Sequence, residues 1–498
     1  MGIPSYFNYI LKNHNTIIIN KKFIKSDILF VDANSLIYDS IHELENIENN
    51  KMVYEKVYEK IMILIQKINP SIKTYICFDG VPPFPKMQQQ RQRRFKSVLI
   101  NKIMNKSKKE WNRNQITPGT DFMNHLDDYL IDKFKYNKNI IFSGSNEPGE
   151  GEHKICHFLK NKEDNFKTKN IIIYGLDADL IMLGMLLHIQ FNNIYLYKET
   201  KYFQYITNIN ENEEYFFNIS KLSLEIDHIL KNNHITQSIC DYILLCFLCG
   251  NDFMPHIPCI NIRNNGIFIL IEHYLQLNDC PLINVTNMTI NWNYFRIFIQ
   301  NLSINDEELI KENLTWKIQL RKRVKTFNFE DKLNHLPSMD IEKETYLLDN
   351  IDEYNRYILE TNNTREICIN YLKMLEWTWY YYNGKNMNNT FYYSFHYGPL
   401  LNDLKSYIPV TNIENIIEEK KIEPIDPISQ LYFVLPYENH KEIIPKEKQN
   451  IDIYKEIPQL KQQNFEVHYF MCKYFWESHL ETNYIDIYRI NSLMKEYK

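Results

Sequence analysis

Short apolar runs alternate with amphipathic stretches through the first 275 residues of the chain. Stretches such as "YEKVYEKIMILIQKI" (54–68) carry apolar residues at helical spacing. Alternating strands and helices predict an α/β fold with a mostly parallel central sheet flanked by helices. The runs that predict buried strands are "DILFVDA" (27–33), "KTYICFDG" (73–80), "NIIFSG" (139–144) and "NIIIYGLDAD" (170–179).

The rest of the chain divides into two segments with different patterns. Between 276 and 344, charges and asparagines interrupt the apolar spacing, and "ELIKENLTWKIQLRKRVKTF" (308–327) predicts at most a solvated helix. From 345 to 498 the pattern is helical and rich in aromatic residues, as in "YLKMLEWTWYYYNG" (371–384). We therefore predict three units, 1–275, 276–344 and 345–498, with the last packed against the sheet.

The composition is that of an ordinary globular protein, with 44% hydrophobic and 24% charged residues among 498. The net charge of −5 provides no general basic field, so a nucleic-acid partner would need a local patch of cations. No apolar stretch reaches the roughly 18 residues that a membrane span requires, so we expect no contact with a membrane.

The cysteines and the start of the chain bear on the cellular compartment. Nine cysteines, an odd number, and the absence of a signal peptide favour reduced thiols and an intracellular protein. We expect the cytoplasm by default, with the nucleus as the alternative. Cys246 and Cys249 form a C-x-x-C without a second pair at zinc-ribbon spacing, which favours buried thiols over a zinc site.

Acidic residues follow each predicted strand. Ligands of an open α/β sheet bind outside the carboxyl ends of its strands, so we expect these acids to meet at one edge. One such acid would be read as a helix cap, but seven crowded carboxylates repel one another unless cations neutralise them. Carboxylate oxygens suit two Mg²⁺ ions, with Mn²⁺ as a substitute. Two such ions are the arrangement that enzymes use to cleave phosphodiester bonds. The seven acids are Asp32, Asp79, Glu150, Glu152, Asp177, Asp179 and, after an apolar helix, Asp252.

The segment "SGSNEPGEGEHKI" (143–155) has two interpretations. It suits a helix N-terminus, because Pro148 fits a first helical turn and glutamates complement the helix dipole. It also suits metal binding, since Glu150 and Glu152 follow a predicted strand. Their i, i+2 spacing favours the entry loop of a helix over its interior. Glu147 is expected to be a capping or solvated residue.

A run of basic residues begins seven positions after Asp79, with "KMQQQRQRRFKS" (86–97). Ten lysines and arginines between 86 and 113 are opposed by one acid, Glu110. A solvated basic helix is one interpretation. The other is a phosphate grip, in which arginines supply bidentate donors. On a helix, four residues would share the gripping face: Lys86, Gln90, Arg93 and Arg94.

Longer motifs along the chain point to a family. In the first 275 residues these are "MGIPSYF", "VDAN", "FDGVPPFPKMQQQRQRRF", "ITPGTDFM", "EPGEGEHKI", "YGLDADLIMLG" and "FLCGNDFMPHIP". Later ones are "YYYNG…FHYGP", "PISQLYFVLP" and "NFEVHYFMCKYFWESHLE". In this order they resemble the motifs of the XRN-type 5′→3′ exoribonucleases, the Xrn/Rat1 family. The related flap endonucleases share the acids but not this combination of motifs.

The resemblance implies a Mg²⁺-dependent hydrolase that degrades 5′-monophosphorylated RNA to mononucleotides, on a core like that of the PIN and flap-endonuclease proteins. It implies that the seven acids hold two ions. One ion would be bound mainly by Asp32, Asp79 and Glu150, and the other mainly by Asp177, Asp179 and Asp252. Glu152 would lie between the two ions. It also implies that Lys86, Gln90, Arg93 and Arg94 bind the terminal phosphate. Residues 1–275 would then be the nuclease domain, 276–344 a variable connection and 345–498 a supporting region.

Two positions depart from the family pattern. Tyr38 stands where the family has a histidine that stacks on the 5′ base, and tyrosine is able to stack as well. The family also has a tryptophan just before its "HYAP" motif that helps translocation. The corresponding stretch "NNTFYYSFHYGP" (388–399) has no tryptophan, and Phe391 is the expected substitute in stacking. These departures bear on processivity more than on chemistry. The chain also resembles a short form without the long carboxyl-terminal extension of the cytoplasmic members.

The expected partners follow from the same resemblance. They are single-stranded RNA with a 5′-monophosphate and a decapping enzyme, acting with a monomeric chain. Two other interpretations remain open from the residues, a structure-specific flap endonuclease on DNA and a non-catalytic RNA-binding scaffold. Loss of metal acids would favour the scaffold, and all seven are present.

Overall fold

The computed structural model describes most of the chain. The described residues are 2–105, 111–161, 163–199, 210, 212–277, 280–385, 391–410, 415–417, 424–449 and 452–496. The basic run is therefore described only in part, because Lys106, Lys108, Lys109 and Glu110 lie outside these ranges.

A seven-stranded mixed sheet forms the centre of the first half. Its order is β1-β7-β6-β5-β2-β3-β4, in which the five strands from β6 to β4 are parallel and β1 and β7 add antiparallel pairs at one edge. The four predicted strands are confirmed as β2 to β5, and so is the predicted fold class. The strands are β1 Ile18–Asn20, β2 Ile28–Asp32, β3 Lys73–Cys77, β4 Ile140–Ser143, β5 Asn170–Tyr174, β6 Asn193–Tyr197 and β7 Tyr215–Asn218.

Helices cover the sheet and make up most of the second half. In the first half they are α1 Tyr6–Asn13, α2 Asn34–Glu43, α3 Asn50–Ile68, α4 Phe84–Ile103, α5 Asp121–Phe134, α6 Gly151–Lys160, α7 Glu163–Phe166, α8 Asp179–His188, α9 Ile219–Leu230, α10 Ile235–Phe247 and α11 Gly266–Leu275. Then follow α12 Trp292–Leu302, α13 Asp306–Leu320, α14 Phe329–Asn334, α15 Leu336–Met339, α16 Glu342–Asp349, α17 Tyr354–Tyr357, α18 Thr364–Asn383, α19 Leu401–Leu404, α20 Pro427–Val434, α21 Tyr437–Ile443, α22 Ile453–Glu456 and α23 Ile487–Glu496. Two short ribbons pair β8 Ile283–Asn284 with β9 Thr289–Ile290, and β10 Val467–His468 with β11 His479–Leu480.

The two faces of the sheet pack into different cores. Strand β2 shows the alternation: Phe30 belongs to one apolar cluster, whereas Leu29 and Val31 belong to the other. Successive side chains of a strand point to opposite faces, and burial on both faces explains why the strand is a continuous apolar run. The sheet is therefore an inner layer, which leaves its carboxyl-end edge as the place where polar residues can gather.

The second half packs directly on this core. Helix α18 contributes Trp377 and Trp379, both buried, to the same cluster as Phe30. A third cluster joins the start of α4 to α20 and α23, with Phe84 and Met87 against Phe433. The basic helix α4 is thus held between the two halves of the chain.

Two details of the predicted pattern are corrected by the structure. Helix α13 is not merely solvated, because Ile310 and Leu314 are buried in the main core and Lys317 donates hydrogen bonds from its Nζ to two backbone carbonyls. The sequence suggests that the ammonium of Lys317 is solvated, but buried backbone carbonyls satisfy it instead.

Helix α6 begins at Gly151, so Pro148 lies in the preceding turn and not at the helix start. Across the described ranges, no helix combines the length and apolar character that crossing a membrane requires.

Candidate active site

Acidic residues lie at one edge of the sheet, at or after the carboxyl ends of its parallel strands. Asp32 is the last residue of β2, and Asp79 follows β3 by two positions. Glu150 and Glu152 flank the start of α6, which follows β4. The remaining acids are Asp177 and Asp179, between β5 and α8, and Asp252, in the loop after α10. The structure brings all seven predicted acids into one cluster, which we call the carboxylate site.

Glycines allow the elements of the carboxylate site to approach closely. A Cβ atom on Gly2 would lie 1.7 Å from Asp179 Oδ1, and Gly2 has a φ of +56°, in the left-handed region. A Cβ atom on Gly151 would lie 2.6 Å from Asp32 Oδ1. Since real side chains cannot approach so closely, these two positions exclude any larger residue while the acids keep their places.

Asp79 is held by its neighbours from two elements. Asn34 Nδ2 donates to Asp79 Oδ2 at 2.5 Å, while Asn34 Oδ1 accepts from the backbone N–H of Asp79 at 3.1 Å. The N–H of Gly151, at the N-terminus of α6, donates to Asp79 Oδ1 at 2.7 Å. The helix N-terminus and this asparagine therefore fix the orientation of one carboxylate before any ligand binds.

Lys86 reaches into the carboxylate site from α4. Its Nζ lies 2.6 Å from Glu150 Oε1 and 2.9 Å from Asp252 Oδ2. The lysine side chain is buried, and burial opposes its charge, yet the neighbouring acids hold its pKa well above the ordinary value. Lys86 supplies a single positive charge, well short of the seven carboxylates around it.

Burial and mutual repulsion raise the pKa of several acids. Burial first and Glu150 second raise the pKa of Asp79 to about 6. Burial and Asp252 raise the pKa of Asp179 to about 7. The pKa values of Asp32 and Glu152 are also well above their ordinary range, for the same two reasons. Burial and repulsion thus disfavour ionisation of these four acids, whereas Lys86 lowers the pKa of Asp252.

The donor set fits divalent cations bound by oxygen. Glu152 Oε2 and Asp179 Oδ1 are buried, and neither has a hydrogen-bond partner within the described part of the chain. Buried polar atoms are normally satisfied, so these two oxygens point to a ligand that is not part of the polypeptide. Hard carboxylate oxygens, held close together with a deficit of positive charge, suit a cation such as Mg²⁺ or Mn²⁺.

Aromatic residues of α18 line one side of the carboxylate site. Tyr381 donates a hydrogen bond from its hydroxyl to Glu150 Oε2. Its ring stacks on Trp377 at 4.9 Å between centroids and lies 3.8 Å from the ring of His153. Burial lowers the pKa of His153 to about 4, so its imidazole is neutral at physiological pH. The second half of the chain thus contacts the acids directly.

The four residues of the predicted phosphate grip lie along one side of α4. Lys86 faces the acids, and Arg93 is exposed beside them. Gln90 is buried, and its Oε1 accepts from Gln430 Nε2 at 3.5 Å. Arg94 donates to Asn114 Oδ1 at 3.2 Å, and burial lowers the pKa of Arg94 to about 10. The helix brings these residues together, and their role in phosphate binding stays a prediction.

The two predicted stacking residues have different surroundings. Tyr38 is 39% exposed and close enough to Arg94 to affect its pKa, so its ring is available beside the arginine. Phe391 is partly buried against the main core. Its neighbours Tyr392 and Tyr393 line a cavity of about 660 Å³ that also touches Arg93 and Asp252. Stacking by Phe391 stays a prediction, and Tyr392 is a further candidate that the sequence did not single out.

Three contributors to the site were missed by sequence reasoning. Asn34 holds Asp79, Tyr381 holds Glu150, and Gly2 packs against Asp179. Asn34 and Gly2 lie within "VDAN" and "MGIPSYF", two of the motifs that carried the family resemblance, so those motifs contained a signal. For Tyr381 the only signal in the sequence was its position in an aromatic-rich helix, which does not indicate a contact with Glu150. Cys246 and Cys249 are buried free thiols, in keeping with the expectation from their spacing.

Two family models match consecutive parts of the chain. Residues 1–200 match the model described as "XRN 5'-3' exonuclease N-terminus". Residues 232–333 and 343–498 match the model described as "Xrn1 helical domain". The first match covers β1 to β6 and six of the seven acids, and the second covers Asp252 and the helical half.

Several named proteins align with most of this chain. The 5′-3′ exoribonuclease 1 of Homo sapiens is 26% identical over 525 aligned residues, which cover 88% of this chain and 30% of that protein. The 5′-3′ exoribonuclease 2 of Kluyveromyces lactis is 28% identical, covering 69% of this chain and 44% of that protein. The chain thus spans less than half the length of these relatives.

Solved structures with a similar arrangement include two nucleases. The catalytic core of Rad2 in complex with a DNA substrate is 14% identical, covers 70% of this chain and 84% of that one, and has a TM-score of 0.34. The T5 D15 flap endonuclease, in complex with DNA and metal ions, is 13% identical over 57% of this chain and 86% of that one, with a TM-score of 0.32. At these scores the overlap adds nothing to the fold class, which rests on the strand order itself.

Proposed function

The chain belongs to the XRN 5′-3′ exonuclease family, and we propose that it is a Mg²⁺-dependent exoribonuclease. The proposed reaction is hydrolysis of single-stranded RNA from a 5′-monophosphate end, with release of mononucleotides. The observation that carries this proposal is the carboxylate site: seven acids with too little positive charge lie next to a basic helix that is able to grip a phosphate.

The seven acids are the proposed holders of two ions. Asp32, Asp79 and Glu150 would bind mainly one, and a second group, Asp177, Asp179 and Asp252, mainly the other, with Glu152 between them. When bound, the ions would polarise the scissile phosphate, activate a water and stabilise the leaving oxygen. Asn34 and the N–H of Gly151 keep Asp79 in a single orientation, and Tyr381 does the same for Glu150.

Lys86 is the link between the ion-binding acids and the phosphate grip. Its Nζ contacts Glu150 and Asp252 from a helix whose next turns carry Gln90, Arg93 and Arg94. A divalent ion that neutralises these acids would release the ammonium to donate to a phosphate oxygen of the RNA. Lys86 therefore couples ion binding to substrate binding.

The phosphate grip accounts for both direction and choice of substrate. Arg93 and Arg94 offer planar donors that suit a terminal phosphate, and Tyr38 lies near Arg94 with its ring exposed. A 5′ base stacked on Tyr38 would place the first phosphodiester beside the acids. A grip of this kind would exclude a cap or a triphosphate by size, and a 5′-hydroxyl would offer it no charge to bind.

Other parts of the proposal concern the whole molecule. We propose that 1–275 acts as the nuclease domain, 276–344 as a connection and 345–498 as the support that supplies Tyr381. We further propose a monomer that acts in the cytoplasm on RNA delivered by a decapping enzyme. Stacking by Phe391 would help to move the RNA after each cleavage.

Product analysis on one RNA prepared with three different 5′ ends tests the proposed function. We expect the monophosphate end to yield mononucleotides in Mg²⁺, and the 5′-hydroxyl and capped ends to be largely spared. Equal rates on all three ends would reject the phosphate grip. Oligomers of flap length released from branched DNA would support a flap endonuclease instead, and RNA binding without cleavage would support a scaffold.

A further inference from the structure

A second cluster of possible metal ligands lies away from the seven acids, on the short ribbon of β10 and β11. His468 and His479 pair across this ribbon, so their side chains share one face. Glu481 follows His479 by two positions, and its N–H donates to the carbonyl of Glu466 at 2.9 Å, which continues the ladder. The ribbon therefore presents two histidines and a glutamate side by side.

His396 comes from a separate segment and lies over the same face. Its ring stacks on His468 with 4.5 Å between centroids, and on His479 with 5.6 Å. Its Nε2 lies 2.7 Å from Glu481 Oε2. The cluster thus joins the segment before α19 to the ribbon near the end of the chain.

One nitrogen in this cluster is left without a partner. His468 is 92% buried, and its Nε2 has no hydrogen-bond partner in the described ranges, although it faces Glu481 Oε2 at 3.8 Å. Ligand atoms of His396, His468 and Glu481 all lie within 4.8 Å of one another. In a four-coordinate zinc site, bonds of about 2.0–2.1 Å place ligand atoms about 3.3 Å apart, so small side-chain movements suffice.

We propose that His396, His468 and Glu481 form a zinc site that is distinct from the carboxylate site. Two imidazoles and one carboxylate are ligands that Zn²⁺ takes in proteins, whereas Mg²⁺ prefers oxygen alone. Burial lowers the pKa of His468, which favours the neutral imidazole that binds metals. A fourth position would remain for water or a ligand, since His396 and Glu481 line the 660 Å³ cavity that reaches Asp252 and Arg93.

The site would act as a clamp at the mouth of that cavity. It would connect the loop that carries Tyr392 and Tyr393 to the ribbon of β10 and β11. Beside that ribbon, the carbonyl of Ser478 accepts a hydrogen bond from Lys96 of α4. Metal binding to the folded state alone stabilises that state by mass action. Zinc would therefore raise the melting temperature of the whole chain and order one wall of the cavity.

Titration with Co²⁺, a visible probe for zinc sites, tests this proposal in the whole protein. Saturating Mg²⁺ is present throughout to occupy oxygen ligands. We expect one Co²⁺ per chain with the absorption of a four-coordinate site, displaced by Zn²⁺. Affinity should fall at least about 1,000-fold in His396→Asn and in Glu481→Gln, beyond the roughly 10–100-fold that loss of a second-sphere partner causes. Glu481 is 61% exposed, so its variant is expected to fold.

Two control variants separate this site from other metal binding. Asp179→Ala should keep the Co²⁺ signal, because it alters only the carboxylate site. His228→Asn, at an exposed histidine of α9, should also bind as the parent does. Stoichiometric Co²⁺ binding that survives Glu481→Gln and His396→Asn, or no binding by the parent protein, would overturn the proposal. A rise in melting temperature with Zn²⁺ that is lost in both variants would support it independently.

Discussion

The cations of helix α4 have two kinds of partner. Lys86 contacts the carboxylates of Glu150 and Asp252, and Arg93 lies close to Asp177. Arg91 is 1% exposed and donates to the carbonyl of Asn483 at 2.9 Å. Lys96 likewise donates to the carbonyls of Trp476, at 2.9 Å, and Ser478. We call Lys86 and Arg93 the acid-facing cations, and Arg91 and Lys96 the carbonyl-bound cations.

The difference between the two pairs of cations lies in what a ligand can change. Backbone carbonyls are fixed and neutral, so Arg91 and Lys96 have permanent partners and hold the last segment of the chain to the helix. The acids around Lys86 are charged and crowded, so an added cation alters every interaction of Lys86. Burial of a cation is therefore a poor guide to function, and the charge of its partner is the better one.

The largest effect is expected from the acids that the helix faces. Asp179→Ala should lower kcat for a 5′-monophosphorylated RNA at least about 100-fold, because it removes a proposed ligand of the ions. Melting temperature without metal should stay the same or rise, since the substitution removes repulsion. Single-turnover cleavage and thermal melting are the measurements, with the exposed Asp132→Ala as control. More than a tenth of the parent rate would contradict the assignment.

Lys86→Met tests an acid-facing cation of the helix. We expect kcat to fall about 100-fold, because loss of one positioned donor at a reaction centre costs roughly 10²–10³ in kcat. The matched variant Lys96→Met loses carbonyl partners only, so its kcat should stay within about threefold once the protein is folded. Equal losses of kcat in the two variants would mean that the acid-facing and carbonyl-bound cations of α4 do not differ in function.

Arg94→Ala sharpens the comparison at the phosphate grip. The preference for a monophosphate over a hydroxyl end should fall about tenfold, because a charged hydrogen bond to the phosphate is lost. Binding of Mg²⁺, followed by calorimetry, should not change. Arg365→Ala, at an exposed position of α18, serves as the control. An unaltered end preference would place the grip elsewhere.

The pH dependence follows from the raised pKa values of Asp79 and Asp179, about 6 and about 7. A raised folded-state pKa stabilises the metal-free protein in acid, and this contribution is lost as pH rises through those values. Mg²⁺ needs the ionised acids, so its affinity rises several-fold over the same range. Melting curves with EDTA and with Mg²⁺, at about pH 5 and about pH 8, should show a larger increment from Mg²⁺ at the higher pH. An equal increment at both would count against these pKa values.

Arg91→Met should affect stability and spare catalysis. Loss of the hydrogen bond from this buried, charged donor to the carbonyl of Asn483 should cost about 1.5–3 kcal/mol of unfolding free energy. Denaturant melts report that loss, and kcat per folded molecule should stay within about threefold of the parent. A large fall in kcat without a loss of stability would place Arg91 among the residues that act on the substrate.

The acids were predictable because short connections follow the parallel strands. Asp32 ends an apolar strand, and Asp79 and Asp179 follow apolar strands within five residues. Parallel strands end at the same edge of a sheet, so the sequence alone places these acids together. The roles of Arg91 and Lys96 were not predictable, because their partners lie 392 and 380 residues away. The same distance concealed Tyr381, whose contact with Glu150 spans 231 positions.

Those separations have a consequence for the order of synthesis. A ribosome would complete the sheet and the acids long before it releases Trp476 and Asn483, the residues that supply the carbonyls for α4. Until then Arg91 and Lys96 lack these carbonyl partners, and the helix lacks much of its packing. We expect a nascent chain to become a competent nuclease only when nearly all of these residues have emerged. Unfinished chains would then carry the acids without the ability to use them.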